Sequence, residues 1–417
     1  MAPGREPART LREAYTNLDP NASLPGEAHP FYVPRPEEFG PGTLQQALEL
    51  ASPSDKILFT GHRGIGKSTE LRRLAQKLRE QFLVVYFTVE DQVDLADINY
   101  HDILLVLGGQ LCRAAQDEGI DLDSELLEDL TKWYQGVVFE REEVSGKEVS
   151  VGVGLQAIIN VGLQLRKGSN FRKKVREQVE PRLTELVALI NRVIENVREK
   201  SGRSPLVLLD GSDKVYDISA AVKMFREGAG VLIAPDCPIV YTVPLVLLYA
   251  PELGSMMMNF RGQYLLPNVR LFNRDGSKCD EGWKMFNEIL RRRVSEELLP
   301  PEARESLIKL SGGVLKHLIS YAGQAVLEAR YRGGEREPVM VEDVNSVAHR
   351  ERLVLSPTFN PKEREELSRV AREHTFINSS EAVTLAVNLH ILQYTEPKGE
   401  WWDVHPILKP LLEAWKQ

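Results

Sequence analysis

The stretch ILFTGHRGIGKSTEL at residues 57–71 constrains this chain more than any other part of the sequence. Gly61, four further residues and then Gly66, Lys67 and Ser68 fit the phosphate-loop pattern G-x-x-x-x-G-K-[ST]. An apolar run with strand character precedes the loop, and a helix-forming run follows it. Because glycines let the backbone N–H groups turn inward, the sequence predicts a loop that surrounds a chain of phosphates.

The side chains at the end of this loop predict its chemistry. Lys67 is expected to reach the terminal phosphates, and the hydroxyl of Ser68 is expected to bind Mg²⁺. The start of the following helix adds a positive field at the same place. The alternative, a glycine turn with a chance lysine, leaves the matching strand and helix unexplained.

The composition excludes several other classes of protein. The chain has 417 residues, enough for two or three domains, and 42% of them are hydrophobic. The net charge of −8 differs from the basic charge of a chain that coats nucleic acid over most of its surface. The three cysteines are few and far apart, which argues against a disulfide framework and a cysteine-based zinc site.

The sequence has neither a membrane-spanning run nor a secretory signal. No apolar run reaches the roughly 18 residues needed to cross a bilayer. The N-terminal residues lack the apolar core of a signal peptide. We therefore expect a cytoplasmic protein without a membrane partner.

Residues 31–275 are predicted to form an α/β core that follows a flexible segment at residues 1–30. Its strands are continuous apolar runs, typical of strands buried on both faces of a parallel sheet. After the phosphate loop, these runs cover residues 82–89, 205–210, 237–244 and 262–269. One amphipathic helix is predicted over residues 170–200.

Residues 137–168 are predicted to be an insertion in this core. The alternating apolar residues Val149, Val151, Val153 and Leu155 indicate a hairpin. The insertion is either a surface excursion without chemistry or an element of self-association.

Strand signals end near residue 280. Helical patterns over residues 276–355 predict a small helical subdomain. Residues 356–417 then give two helices and two strand-like runs separated by the turn PKGE at residues 397–400. Two helices followed by a two-stranded wing are typical of a winged-helix domain.

A phosphate loop needs a second element, a carboxylate that orients Mg²⁺ and the attacking water. Asp210 follows four apolar residues, so a buried strand would deliver its carboxylate to the sheet edge where ligands bind. Asp213 lies one turn further on. It either polarises the water or caps the following helix.

Three more residues are candidates for contacts with phosphates. Thr242 ends a predicted strand, and its hydroxyl contacts the γ-phosphate or its water unless it is only a core threonine. Lys316 follows the double glycine at residues 312–313 and points at the nucleotide unless the segment is only a helix junction. Arg261 is a candidate for reaching the phosphate of a neighbouring subunit, as is any one of the many arginines.

Together, the phosphate loop, the acidic strand, Thr242, the SGG helix and the terminal winged helix resemble the AAA+ superfamily and the related STAND ATPases. The resemblance covers roughly residues 30–417. It implies an α/β P-loop NTPase core with a parallel sheet, a helical lid subdomain and a winged-helix domain. It also implies ATP and Mg²⁺ as ligands, with Mg²⁺ held by Ser68 and Asp210.

By this resemblance, contacts with the nucleotide extend beyond Lys67. Tyr32, in the segment from Phe31 to Pro36, would lie near the adenine, and Lys316 would take a sensor position. The residues of the phosphate loop that would hold the nucleotide are Gly61, His62, Arg63, Gly64, Ile65, Gly66, Lys67, Ser68 and Thr69.

The chain departs from the usual AAA+ pattern in two places. Typical AAA+ members carry a glutamate directly after the first acidic residue, whereas this chain has Gly211. The run DGSD at residues 210–213 matches the Asp-Gly-x-Asp of STAND-like members, and this resemblance makes Asp213 the better candidate for the catalytic base. Lys316 stands where arginine is common, and its charge without the guanidinium fork predicts slow hydrolysis.

The leading hypothesis is a nucleotide-gated switch. With ATP it would change conformation or form a homo-oligomer, and it would control a separate protein effector. By resemblance, bacterial proteins of this kind often act in anti-phage defence. The alternative is a DNA-handling ATPase, although the candidate recognition helix at residues 379–389 contains no Lys or Arg. A third hypothesis is a nucleotide-binding scaffold with little turnover.

Overall fold

The computed structural model describes residues 6–415 except 23, 139–150, 167, 216–217, 252–253 and 255–257. The chain divides into two compact units. The loop unit comprises residues 1–42, 61–73 and 265–417, and the sheet unit comprises residues 43–60 and 74–264. The domain boundaries predicted at residues 275 and 355 stay predictions.

The sheet unit is built on five strands. These are β1 (Lys56–Thr60), β2 (Phe82–Thr88), β3 (Ser204–Asp210), β4 (Ile239–Val243) and β5 (Gly262–Leu265). They lie in the order β2-β3-β4-β1-β5, and the pairs from β2 to β1 are parallel. β1 and β4 are buried at every position, as continuous apolar runs predict for strands covered on both faces.

Parallel pairing brings the carboxyl ends of the strands to one edge of the sheet. Phe59 pairs with Thr242 and Leu209 pairs with Tyr241, so β1, β3 and β4 end at nearly the same level. β1 therefore leads into the phosphate loop, and β3 ends with Asp210, at the edge where open α/β sheets bind ligands. The predicted fold class, an α/β P-loop core with a parallel sheet, is confirmed.

The helices of the sheet unit pack around one apolar cluster. Leu105 and Ile190 are fully buried in it, and the hydroxyl of Tyr134 donates to the carbonyl of Leu105 at 2.8 Å. The helices are Gly42–Glu49, Val89–Gln92, Tyr100–Asp117, Ser124–Val137, Val151–Ile159, Val161–Leu165, Ser169–Val179, Leu183–Ser201, Ile218–Glu227 and Ala229–Leu232.

The hairpin predicted within residues 137–168 is wrong where the structure describes it. Residues 139–150 and 167 lie outside the described residues, but two helices, Val151–Ile159 and Val161–Leu165, replace the expected strand. Packing overrides the alternating pattern. Gly109 lets the helix approach so closely that an added Cβ would lie 2.5 Å from the carbonyl oxygen of Ile158.

The single helix predicted over residues 170–200 is two helices. Ser169–Val179 and Leu183–Ser201 are separated by the 3-10 turn Glu180–Arg182. Pro181 explains the break because it has no N–H to donate and its ring displaces the carbonyl four residues earlier.

The described part of the loop unit contains helices and a β-hairpin. The antiparallel strands β6 (Ile391–Glu396) and β7 (Gly399–Val404) form that hairpin after two helices, in the order predicted for a winged helix. The helix Lys67–Lys77 begins in this unit and ends in the sheet unit. The helices that lie within the loop unit are Leu11–Asn17, Asp280–Arg293, Pro301–Ser311, Leu315–Gly333, Val341–Leu355, Pro361–Glu373, Ser380–Val387 and Lys409–Ala414.

The described part of residues 1–30 differs from the flexible segment predicted there. It contains the helix Leu11–Asn17, which Thr10 and Glu13 begin with a reciprocal capping box. Leu11 is fully buried, and the amide of Ala8 donates to the carbonyl of Arg293 at 2.9 Å. Burial and backbone pairing fix this segment onto the helical part of the loop unit.

No helix among the described residues combines the length and the apolar character that crossing a membrane requires.

Candidate functional site

The phosphate loop has a backbone that requires its glycines. Gly61, Gly64 and Gly66 have φ angles of +148°, +73° and +104°, which L side chains rarely adopt. A Cβ at Gly61 would also lie 2.6 Å from the carbonyl oxygen of Leu266. The predicted loop is therefore a tightly enclosed turn in which backbone groups, rather than side chains, are available for a phosphate chain.

Lys67 begins the helix Lys67–Lys77, and its side chain is buried inside the loop. Its Nζ donates to the carbonyl oxygens of Gly61 and His62 at 2.7 and 2.8 Å. Ser68, the predicted Mg²⁺ ligand, is the second residue of this helix and is half-buried, as are Arg63 and Thr69. The ammonium group is thus fixed by the same loop that it is expected to serve.

Lys316 lies against the phosphate loop. Its amide donates to the carbonyl of Gly64 at 2.9 Å, and a Cβ added at Gly64 would lie 2.6 Å from the Cβ of Lys316. Its ammonium group donates to the side-chain oxygen of Asn21 at 3.1 Å. The structure therefore brings together the loop and the start of the helix Leu315–Gly333.

Tyr32 belongs to a buried polar network on the helix that follows the loop. Its hydroxyl donates to Glu70 at 3.4 Å, and burial raises the pKa of this phenol. Arg35, which the sequence did not single out, donates to the carbonyl of Ile65 in the loop and lies 3.7 Å from Glu70. Burial lowers the pKa of the Arg35 guanidinium, and the charge of Glu70 opposes that shift. The segment from Phe31 to Pro36 thus supports the loop.

The ring of His62 reaches the C-terminal hairpin. Its Nε2 accepts a hydrogen bond from the amide of Gln393 in β6 at 2.7 Å, and its ring packs edge-on against Trp402 with centroids 5.7 Å apart. Burial, together with the charges of Lys67 and His317, lowers the pKa of His62 to about 3. Only an unusual histidine inside the loop could have signalled this contact, because its partner lies 331 residues away in the sequence.

Three further histidines lie near this contact. Nδ1 of His405 accepts from the amide of Ile407 at 3.2 Å, so in the neutral ring Nε2 carries the proton and donates to Nδ1 of His317 at 2.9 Å. Burial lowers the pKa of His317 and of His390 to about 4, and that of His405 well below its usual value.

Asp210 ends β3 and is buried in the sheet unit. Its Oδ2 accepts a hydrogen bond from the hydroxyl of Tyr86 on the neighbouring strand at 2.7 Å. Gly211 follows at a φ of +86°, and a Cβ there would lie 3.2 Å from the methyl group of Thr88. A glutamate at this position would be strained, which gives a physical reason for the departure from the AAA+ pattern.

Thr242 holds the acidic turn in place. Its hydroxyl oxygen accepts from the amide of Ser212 at 3.1 Å, and its carbonyl accepts from the hydroxyl of Ser212 at 2.5 Å. Asp213 lies in the same 3-10 turn, Ser212–Lys214, and is 5% exposed. Lys214 forms an ion pair with Glu90 at 2.5 Å. The turn is therefore fixed to β4 and to the segment that follows β2.

Arg261 lies apart from these groups within the sheet unit. Its side chain is 74% exposed, and its Nε lies 3.8 Å from the carboxylate of Asp55. The guanidinium is exposed and only weakly paired, which leaves it accessible to another molecule. Its role in trans stays a prediction.

The chemistry of the donor groups fits Mg²⁺ better than a transition metal. The described part of the chain contains no group of three or more His, Cys, Asp or Glu side chains that could hold a metal ion. Mg²⁺ is usually bound by one or two carboxylates together with substrate phosphates and water. Taken separately, the hydroxyl of Ser68 in the loop unit and the carboxylate of Asp210 in the sheet unit are oxygen donors of the kind that Mg²⁺ prefers.

Comparisons with known proteins give a likeness of fold. No protein-family model and no curated protein matches the sequence. Cdc6p from Pyrobaculum aerophilum is 12% identical over 98% of both chains, with a TM-score of 0.44. The Orc1 protein from Aeropyrum pernix, in complex with DNA, is 11% identical over 97% of this chain and 98% of that chain, with a TM-score of 0.44.

A third similar structure is the RuvB Holliday junction branch migration motor from Thermotoga maritima. It is 12% identical over 92% of this chain and 98% of that chain, with a TM-score of 0.35. At these identities and TM-scores the likenesses carry no inference about activity. We therefore argue function from the residues of this chain.

The buried histidines predict a loss of stability in acid. Because folding holds their pKa values below the ordinary 6.5, the unfolded chain binds more protons below about pH 6.5, and stability falls from there toward pH 4. The thermal unfolding midpoint should fall between pH 7 and pH 5. His405→Asn, which keeps an acceptor for the amide of Ile407, should make this dependence shallower, whereas the exposed-site control His349→Gln should not. An unchanged slope in His405→Asn would contradict the explanation.

Proposed function

We propose that this chain is an ATP-binding and ATP-hydrolysing switch. With nucleotide it changes conformation or self-associates, and it controls a separate protein partner. The observation that carries the proposal is the phosphate loop itself. Its glycines take the positive φ angles that turn backbone N–H groups toward a phosphate chain, and Lys67 is held at its centre.

The proposed division of labour follows from the chemistry of each group. The loop and Lys67 would bind the phosphates, and Ser68 and Asp210 are each proposed as an oxygen ligand of Mg²⁺. When bound, Mg²⁺ would neutralise charge that develops on the phosphates. Tyr86 supports this role for Asp210, because a donated hydrogen bond stabilises and orients the charged carboxylate.

Asp213 is proposed as the group that activates the attacking water. Its turn is held to β4 by the two hydrogen bonds between Ser212 and Thr242. In this proposal Thr242 positions the acidic turn and affects the phosphates through the position of that turn. Slow turnover is expected because a lysine, Lys316, supplies the remaining charge without bidentate geometry.

The switch character is supported by the contacts of the loop within its own unit. Gly64 bonds to Lys316 at the start of one helix, and His62 bonds to Gln393 in the hairpin. A ligand that changes the loop therefore acts directly on elements of the lid and of the proposed winged helix. A protein effector, and a setting in anti-phage defence, are proposed on the STAND resemblance alone.

Removal of the Lys67 ammonium group tests the proposed binding of ATP. Lys67→Ala should weaken ATP binding about 100-fold, since a charge-assisted hydrogen bond contributes about 3 kcal/mol. Binding is measured by calorimetry, and molecular mass is measured with and without ATP. Lys77→Ala, an exposed lysine at the other end of the same helix, is the matched control and should bind normally.

Equal ATP binding by the Lys67→Ala and Lys77→Ala variants would contradict the proposed site. A mass that nucleotide does not change would remove self-association and leave the conformational form of the switch.

Asp213→Asn tests the proposed catalytic base. It should keep ATP binding and lower the hydrolysis rate about 100-fold or more, which is the usual contribution of a general base. Asp210→Asn should weaken the dependence on Mg²⁺ as well, and the exposed control Asp117→Asn should change neither. Turnover that is negligible in the unmodified chain would favour the scaffold hypothesis, and unchanged turnover in Asp213→Asn would exclude this base.

The second candidate function is a DNA-handling ATPase. The order of two helices and a hairpin at the C-terminus favours it, but the helix Ser380–Val387 offers no Lys or Arg for base contacts. The basic run at residues 172–176 is also partly neutralised, because Arg172 and Arg176 form ion pairs with Asp97.

Duplex binding at low salt distinguishes this candidate from the switch. We expect no detectable binding in a titration with labelled duplex DNA. Binding whose affinity falls steeply with added salt would instead support the DNA-handling function.

A further inference from the structure

The outer edge of β6 needs a hydrogen-bond acceptor from outside the hairpin. Gln393 lies opposite Trp402 in the hairpin, and the amides of both residues donate away from it: that of Trp402 to the carbonyl of His374 at 3.1 Å, and that of Gln393 to His62 at 2.7 Å. A buried amide without an acceptor is costly. The phosphate loop therefore completes the pairing of this strand edge.

The bond defines the chemical state of His62. A backbone amide can only donate, so Nε2 must be unprotonated, and the ring is neutral. Its low pKa, about 3, is consistent with a neutral ring across the physiological range. The acceptor is thus permanent, unlike that of an ordinary surface histidine.

His62 also contacts Lys67, whose ammonium group is expected to bind the phosphates. Its carbonyl oxygen accepts from Nζ of Lys67 at 2.8 Å, while its ring accepts from Gln393. One residue therefore carries both contacts. A change in the hydrogen bonds of the Lys67 ammonium group would act on a residue whose side chain also contacts the hairpin.

A second series of contacts connects the same two places. The hydroxyl of Tyr394, next to Gln393, donates to the carbonyl of Gly312 at 2.8 Å. Gly312 belongs to the turn that precedes Lys316, whose amide donates to the carbonyl of Gly64. The hairpin therefore contacts the phosphate loop directly and also through the start of the lid helix.

From these contacts we propose that His62 is a positioning residue: it couples the conformation of the phosphate loop to the docking of β6, so that nucleotide binding and hairpin docking stabilise each other. The inference rests on the proposed binding of ATP and adds the element that responds to it. Because coupling between two binding events is reciprocal, the factor by which docking strengthens ATP binding equals the factor by which ATP strengthens docking.

Two substitutions of His62 separate the acceptor from the shape of the ring. His62→Phe keeps an aromatic ring against Trp402 and removes the acceptor. His62→Gln offers a side-chain oxygen to the Gln393 amide and serves as the conservative variant. Gln393→Pro removes the donor instead and leaves the phosphate loop unchanged in sequence; proline is tolerated where a strand N–H points out of its ladder.

The readouts are ATP affinity and hydrogen exchange of the Gln393 amide with and without a non-hydrolysable ATP analogue. In the unmodified chain, the analogue should slow exchange at Gln393 about fivefold or more, the lower range of typical coupling. His62→Phe should weaken ATP binding by about the same factor and abolish the response at Gln393. His62→Gln should restore most of both effects. The amide of Trp402 reports opening of the whole hairpin and should respond less.

A double-mutant cycle completes the test. If His62 acts through the Gln393 amide, His62→Phe should add little to the loss of affinity already caused by Gln393→Pro. Full ATP affinity in both His62→Phe and Gln393→Pro, or exchange at Gln393 that ignores the analogue, would overturn the proposed coupling. Failure of the unmodified chain to bind ATP would instead overturn the proposed function. If His62→Phe does not fold, Gln393→Pro and the exchange experiment on the unmodified chain still decide the matter.

Discussion

The backbone of the phosphate loop is the constraint on which the loop unit depends. Gly61 and Gly64 take positive φ angles, and the space that a side chain would need is filled by Leu266 and by Lys316. A loop that binds through its backbone has few side chains with which to fix its own shape. Its neighbours fix it instead, and among them are the helix and the hairpin that the proposed switch would move. The shape of the loop and the positions of these elements therefore depend on each other.

The sheet unit holds an acidic turn at the carboxyl edge of its strands. A buried carboxylate is stable only with hydrogen-bond donors close by, and Tyr86 on β2 donates to Asp210. β4 fixes the next residues through Thr242 and Ser212. Three adjacent strands thus set the geometry of one turn, so a substitution of Tyr86 in β2 or Thr242 in β4 would affect the acidic turn without replacing an acidic residue.

The core of the fold was predictable because its signals are local. Continuous apolar runs gave the strands, and the glycine spacing around Lys67 gave the loop. The helices that the sequence analysis did not predict lack such a clear local signal. The alternation at Val151, Val153 and Leu155 favours a strand, yet this segment packs as a helix against Gly109. The helix Leu11–Asn17 had a readable capping box, Thr10 with Glu13, but it is too short for a clear period.

Candidate site residues could be named from the sequence for the same reason, and their roles stay predictions. The pattern placed Lys67, Ser68 and Asp210 in the sequence, because phosphate and metal chemistry fixes their spacing from glycines and strand ends. The support that Arg35 gives to the loop, and the bond from His62 to Gln393, join segments far apart in the chain. No local pattern encodes such pairs, and they appear only when the folded chain brings them together.

The hairpin edge that ends on His62 bears on how this protein can be dissected. Residues 356–417 are predicted to be a domain of their own, so deleting them is an obvious way to study the remainder. Such a truncation would strip the phosphate loop of one of its contacts and leave the ring of His62 facing water in place of Gln393 and Trp402. The pKa of the ring would then rise from about 3 toward the ordinary value of a histidine, because burial is the largest cause of its low value. A fragment prepared in this way would carry a titratable histidine that is neutral in the intact protein, so any nucleotide binding measured on the fragment would include an effect of the truncation itself.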